Sequence, residues 1–164
     1  MENIIWALSL WALVFVLIPL ERLKQLWPVA VIAYIWMYIM NFTFVYLGYY
    51  KFTKQIVELF GVSLLIPLGG AAGGILLMNW FPRNPLYKIS VVLLFSGFMG
   101  IASYIYQELH AFQMSLGFNH LLHFFVNVAG VSVLAWLSLG ILGEDTIYEG
   151  NKTRFLKDGR LLRG

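Results

Sequence analysis

Residues 56–78 read IVELFGVSLLIPLGGAAGGILLM and carry one charged side chain, Glu58. A helix of about 20 apolar residues spans a bilayer, so the run predicts a transmembrane helix over 56–78. Its glycines form two overlapping GxxxG pairs, Gly69 with Gly73 and Gly70 with Gly74. Lipid tails are as apolar as leucine, so helices in a membrane associate by close packing of small residues and by hydrogen bonds. This helix is therefore expected at the centre of a bundle. Pro67 within it would remove a backbone donor and free the carbonyl of Ser63, predicting a kink shielded by neighbours. At about 100° per residue Glu58 shares a face with Gly61, Gly69 and Ala72, and its carboxylate is expected to point inward.

The rest of the chain has the same character. Its 164 residues are 60% hydrophobic, 17% aromatic and 12% charged, against about 25% charged in soluble domains. Four further runs, 4–20, 29–50, 89–106 and 121–142, complete an all-α, polytopic bundle of five spans forming one domain, followed by a tail, 143–164, whose first half reads as loosely structured. Pro28 suits the first turn of the second helix, after a polar break at Glu21, Arg22 and Lys24. Pro82 and Pro85 mark the loop before the fourth helix. With five spans, nine of the eleven Lys and Arg residues fall on the side of the C-terminus and only Lys51 and Lys54 on the other. Positive loops stay in the cytoplasm, so the N-terminus is expected outside and the C-terminus inside a plasma membrane. Glu2 in place of a basic N-terminal region, with no small-residue cleavage site ahead of Glu21, argues against a cleaved signal peptide. Asn41, in the middle of the second span, is expected to find an interhelical partner.

On that topology one outer surface collects the polar residues. Glu108, His110, His120, His123 and Asn127 lie close in sequence, and Glu58 approaches them from the third helix. Ser96, Gly100, Ser103 and Gln107 form one stripe of the fourth helix; His120, His123, Asn127 and Gly130 form one of the fifth. The reading is an outward-facing polar pocket for a small ligand, lipid headgroup or proton, histidine being the side chain that titrates near neutral pH. The alternative is a non-catalytic structural or partner subunit, alone or as a homo-oligomer, in which Glu58 pairs with Lys54 at i, i+4. His120 and His123 share a face, as metal ligands do, but no complete ligand set is spelled out, and the sequence contains no cysteine. No metal, cofactor or nucleic acid is implied. Motifs for zinc hydrolysis and phosphate binding are missing, so no catalytic residue is assigned. The stretch KTRFLKDGRLLRG, 152–164, interleaves five basic residues with Phe155, Leu156, Leu161 and Leu162. That pattern suits anionic lipid of the inner leaflet.

Trp27-Pro28, Pro67, Glu108 and Phe118-Asn119, in this order among five apolar runs, resemble a family of small, uncharacterised multi-pass membrane proteins of spore-forming Gram-positive bacteria. The resemblance covers most of the chain. It implies a bacterial plasma membrane and no particular activity.

Overall fold

A computed structural model describes residues 2–53, 56–115 and 117–154. The elements follow the order α1 (Glu2–Leu17), α2 (Leu20–Tyr46), β1 (Tyr50–Phe52), β2 (Glu58–Leu59), β3 (Val62–Ser63), α3 (Leu65–Asn79), α4 (Pro85–Glu108), β4 (Phe112–Met114), α5 (His120–Leu142) and α6 (Glu144–Tyr148). Three of the helices, α2, α4 and α5, are long and apolar enough to cross a membrane; α1 and α3 are shorter apolar helices.

Helix ends follow local chemistry, and several differ from the sequence expectation. The break between α1 and α2 falls at Ile18 and Pro19, because proline disfavours helix at the residue before it. Glu21, Arg22 and Lys24 therefore belong to the opening turns of α2 and not to a loop, and Pro28 lies inside that helix. Asn84 caps α4, its Oδ1 accepting from the Leu86 amide at 2.9 Å, with Pro85 as the first helical residue. Asn119 caps α5 in the same way through Leu122 at 3.0 Å. The stretch after α5 contains the short helix α6 where loose structure is expected.

The largest correction concerns residues 56–78. The helix begins only at Leu65. Before it, β2 and β3 pair antiparallel, Glu58 opposite Ser63 and Leu59 opposite Val62, around a tight turn in which both Phe60 (φ 51°) and Gly61 (φ 77°) are left-handed. Hairpins of this kind favour positive φ at both turn residues, and glycine takes it without strain. Pro67 thus stands third in α3, where the amide it lacks would have had no intrahelical partner, and the expected release of the Ser63 carbonyl does not arise. Glu58 is exposed on the hairpin and does not share a helical face with Gly69 and Ala72. Its expected partner Lys54, and residues 155–164 of the basic tail, lie outside the described residues.

Helix α3 is the centre of the molecule, with eleven of its fifteen residues buried. Its glycines are divided among neighbours. A Cβ on Gly69 would meet the Trp6 indole of α1, one on Gly70 the Met37 side chain of α2, and one on Gly74 the Cβ of Ala33 in α2 at 2.6 Å. On the other side of α2, the Trp36 indole N–H donates to the Gly130 carbonyl of α5 at 2.9 Å. Helix α4 packs along α5.

At one end of the bundle, the tail end, Arg22 is 2% exposed. Its Nε donates to Asn79 Oδ1 at 3.1 Å and its Nη2 to the Ile147 carbonyl at 2.7 Å, while Nη1 reaches the Thr146 carbonyl. Asn79 Nδ2 donates to the Lys152 carbonyl at 2.8 Å, and Arg154 Nε to the Ile18 carbonyl at 2.9 Å. The segment after α5 is thereby fastened across the ends of α1, α2 and α3. Burial and the neighbouring Arg22 and Arg83 charges lower the Lys152 pKa. At the opposite end, the ribbon end, β1 pairs antiparallel with β4 in the register Tyr50–Met114, Lys51–Gln113 and Phe52–Phe112.

Candidate functional site

A cavity of about 170 Å³ lies between the α1–α2–α3 group and the α4–α5 pair, towards the ribbon end. Gly69, Gly70, Gly73 and Gly74 of α3 are among its lining residues, and of these Gly73 alone has no neighbour within 3.5 Å of the place a Cβ would take. Its walls carry Trp6, Trp36, Phe95, Phe98 and Tyr106 together with Met37, Met40 and Met99. None of the lining residues is Asp, Glu, Lys or Arg.

Polar groups gather at one end of the cavity. Ser103 of α4 and His123 of α5 meet there, Oγ to Nδ1 at 3.1 Å, which joins the polar stripes of the two helices. The Asn127 amide, one turn further along α5, lies 3.5 Å from the same Nδ1. The Ser103 hydroxyl also donates to the Gly100 carbonyl at 2.8 Å. A hydroxyl has one hydrogen, so with that hydrogen on Gly100 its oxygen accepts from His123 Nδ1–H. In this network Nδ1–H is used on Ser103 and Nε2 carries no proton; the Asn127 Nδ2, 3.5 Å away, is then a neighbour of Nδ1 and not its hydrogen-bond partner, because an amide N–H cannot donate to a nitrogen that already holds a proton. Nε2 of this cavity-lining residue is then an acceptor.

The ribbon end of the cavity is roofed by rings. Tyr50, Phe112 and Phe118 are buried and form one cluster, with ring centroids 6.4, 5.8 and 6.0 Å from that of His123. The Tyr50 hydroxyl donates to Asn41 Oδ1 at 3.0 Å, and Asn41 Nδ2 donates to the Met37 carbonyl at 2.8 Å. Asn41 therefore ties α2 to strand β1, not to another helix. Burial raises the Tyr50 pKa above its ordinary value. The α1–α4 side is different, because α4 faces α1 chiefly through side chains, with Trp6 stacked on Phe98 at 5.8 Å. Tyr106 and Phe95 flank that pair, at 6.5 Å from Trp6 and from Phe98 respectively, and Phe98 is 49% exposed.

The six residues expected to form one pocket separate into two groups. His123 and Asn127 line the cavity, whereas Glu58, Glu108, His110 and His120 are exposed outside it. His110 sits in the left-handed turn between α4 and β4 (φ 55°), and its carbonyl accepts from the Thr53 hydroxyl. His120 stands against the Tyr104 ring, 5.7 Å between centroids. Among the described residues no three His, Asp or Glu side chains come together as a metal site would require. Sequence reasoning did not assign Tyr50, Trp36 or Trp6 to the site. Ser103 was visible on the α4 stripe; the aromatic residues carried no local signal. The chain matches no family model, no curated protein and no solved structure.

Proposed function

We propose that this chain is a multi-pass plasma-membrane protein of five spans, N-terminus outside and C-terminus inside, that binds a small ligand between its helices. The membrane reading is supported by large apolar side chains on the exterior of the helices. Leu94, Trp136 and Ile101 are 77%, 72% and 63% exposed, and surfaces of this kind are unstable in water. Helices α1 and α3 are short but reach both ends. Asn3 meets Ser63 at the ribbon end, and Leu17 and Ile18 meet Arg154 at the tail end. Arg22, Lys24, Arg83, Lys88, Lys152 and Arg154 then lie on the cytoplasmic side.

The observation that carries the ligand reading is the cavity: a concave, largely apolar space between the helices with a few polar atoms converging at one end has the form of a small-molecule site. The absence of cysteine allows a direct test of topology. Lys51→Cys should react with a membrane-impermeant maleimide in intact cells, and Arg83→Cys only after permeabilisation; the reverse pattern overturns the orientation. For the ligand, the purified protein is screened by thermal shift against small alcohols, phenols, acids and amines. Gly73→Leu, which fills the space between α3 and Phe95, should abolish the shift seen in the wild type. A screen with no shift sensitive to that variant leaves the cavity without a ligand role.

A further inference from the structure

The shape and the hydrogen-bonding of the cavity name the class of guest, and this step rests on the cavity being a ligand site. We propose that it binds an uncharged, single-ring molecule bearing a hydroxyl, a phenol or a quinol-type ring, with the hydroxyl donating to His123 Nε2. Size is the first argument. An apolar cavity of about 150 Å³ holds benzene, and this one, at about 170 Å³, has room for one substituted ring. The lining is the second: Trp6, Trp36 and Phe95 stand among the residues around the space, beside Gly73 of α3, and rings of this kind stack favourably on an aromatic guest.

Charge and donor logic supply the rest. A charged guest would meet no counter-ion, since no Asp, Glu, Lys or Arg lines the space, and an unpaired charge there is costly. Ser103 fixes the imidazole with its proton on Nδ1, so Nε2 accepts and the guest must donate. A hydroxyl satisfies that requirement, while a ketone or ether oxygen would face a lone pair. The Trp6–Phe98 stack is taken as the route in, because Phe98 stands half exposed on the outer surface. The same ring chemistry belongs to a free phenol and to the head of a tailed membrane phenol, whose chain would leave through this wall.

The test uses the full-length protein in detergent, with tryptophan fluorescence and thermal stability as readouts. The probes are p-cresol, its methyl ether, 1-octanol and a 4-alkylphenol with a ten-carbon chain. The cresol is expected to bind about tenfold more tightly than the ether, one hydrogen bond's worth of discrimination. His123→Leu should remove the preference and leave binding of the ether unchanged, and Gly73→Leu should remove binding of both. Because either variant could fail to fold, Ser103→Ala is measured beside them. By freeing the tautomer of His123 it should reduce the preference while retaining the thermal stability.

The proposal is overturned if the ether binds as well as the cresol in the wild type, or if the preference survives His123→Leu. Binding of 1-octanol alone, abolished by Gly73→Leu, overturns the ring assignment and leaves the cavity a ligand site. Binding of no probe removes both. Tighter binding of the alkylphenol than of cresol supports the hydroxyl ring with the bilayer as its source, and equal binding supports it with a free phenol.

Discussion

Alanine at Gly74 and alanine at Gly73 should move the stability of this protein in opposite directions. The two residues are adjacent, both are helical and both belong to GxxxG pairs, so helix propensity alone assigns them the same effect, a gain of about 1 kcal/mol. Their surroundings differ. A methyl on Gly73 would lie 3.6 Å from the edge of the Phe95 ring, an ordinary contact beside a cavity. A methyl on Gly74 would lie 2.6 Å from Ala33 Cβ, about 1 Å inside the normal carbon–carbon separation. Ala33 has no rotatable bond with which to yield, so the α2 and α3 backbones must part along their most extensive contact. Overpacking of a filled core costs about 1 to 3 kcal/mol. Set against the propensity gain, Gly74→Ala should lose about 1 kcal/mol and Gly73→Ala should gain a similar amount, a separation of about 2 kcal/mol. Reversible unfolding in mixed micelles, followed by circular dichroism, resolves that difference. Equal effects at the two positions, or a larger loss at Gly73, would refute the division of the glycines between α2 and the cavity.

Two other expectations concern the ends of the bundle. Arg22→Met would leave the Asn79, Thr146 and Ile147 oxygens without their donor, costing about 3 kcal/mol. The segment 144–154 should become cleavable by protease under conditions in which the wild type resists, and unchanged resistance would show that other contacts hold it. At the ribbon end, the Tyr50 pKa is raised by burial, so the stability that depends on its protonated form is complete below the unfolded value, about 10, and is lost as pH rises further. Tyr50→Phe should cost about 1 kcal/mol at neutral pH through Asn41, and should flatten the alkaline decline. An alkaline slope identical in both proteins would mean that the phenol is not the group responsible.

What was legible in the sequence and what was not follows from the range over which each signal acts. Long apolar runs identify α2, α4 and α5 because the hydrophobic requirement is a sum over neighbouring residues. The stripes containing Ser103 and His123 are equally local, since residues three and four apart share a helical face, and the structure brings those two stripes together. Residues 56–64 defeat the same method. A continuous apolar run has no period that separates a strand from a helix, and 100° per residue puts Glu58 on a helical face that the hairpin does not have. Phe60-Gly61 held the relevant signal, a glycine available for a positive φ, but it reads equally as a small residue on a packed helix. Pro67 was ambiguous in the same manner, because its meaning depends on how many helical residues precede it.

The roof and the latch depend on partners that no local pattern links. Tyr50 reaches His123 because β1 pairs with β4, two three-residue strands some sixty positions apart; Arg22 reaches Thr146 across 124 residues. The buried Arg22 is met by distant backbone, and the buried Tyr50 hydroxyl by the Asn41 side chain. The cost of burying a donor without an acceptor therefore explains why each is placed where the chain closes on itself. It also explains the division of the polar residues. Glu58, Glu108, His110 and His120 can stay solvated at the ribbon end, whereas His123 is held inward by the bond of its Nδ1 to Ser103. That partnership leaves Nε2 as the uncommitted acceptor in the cavity, the atom on which recognition of a hydroxyl depends.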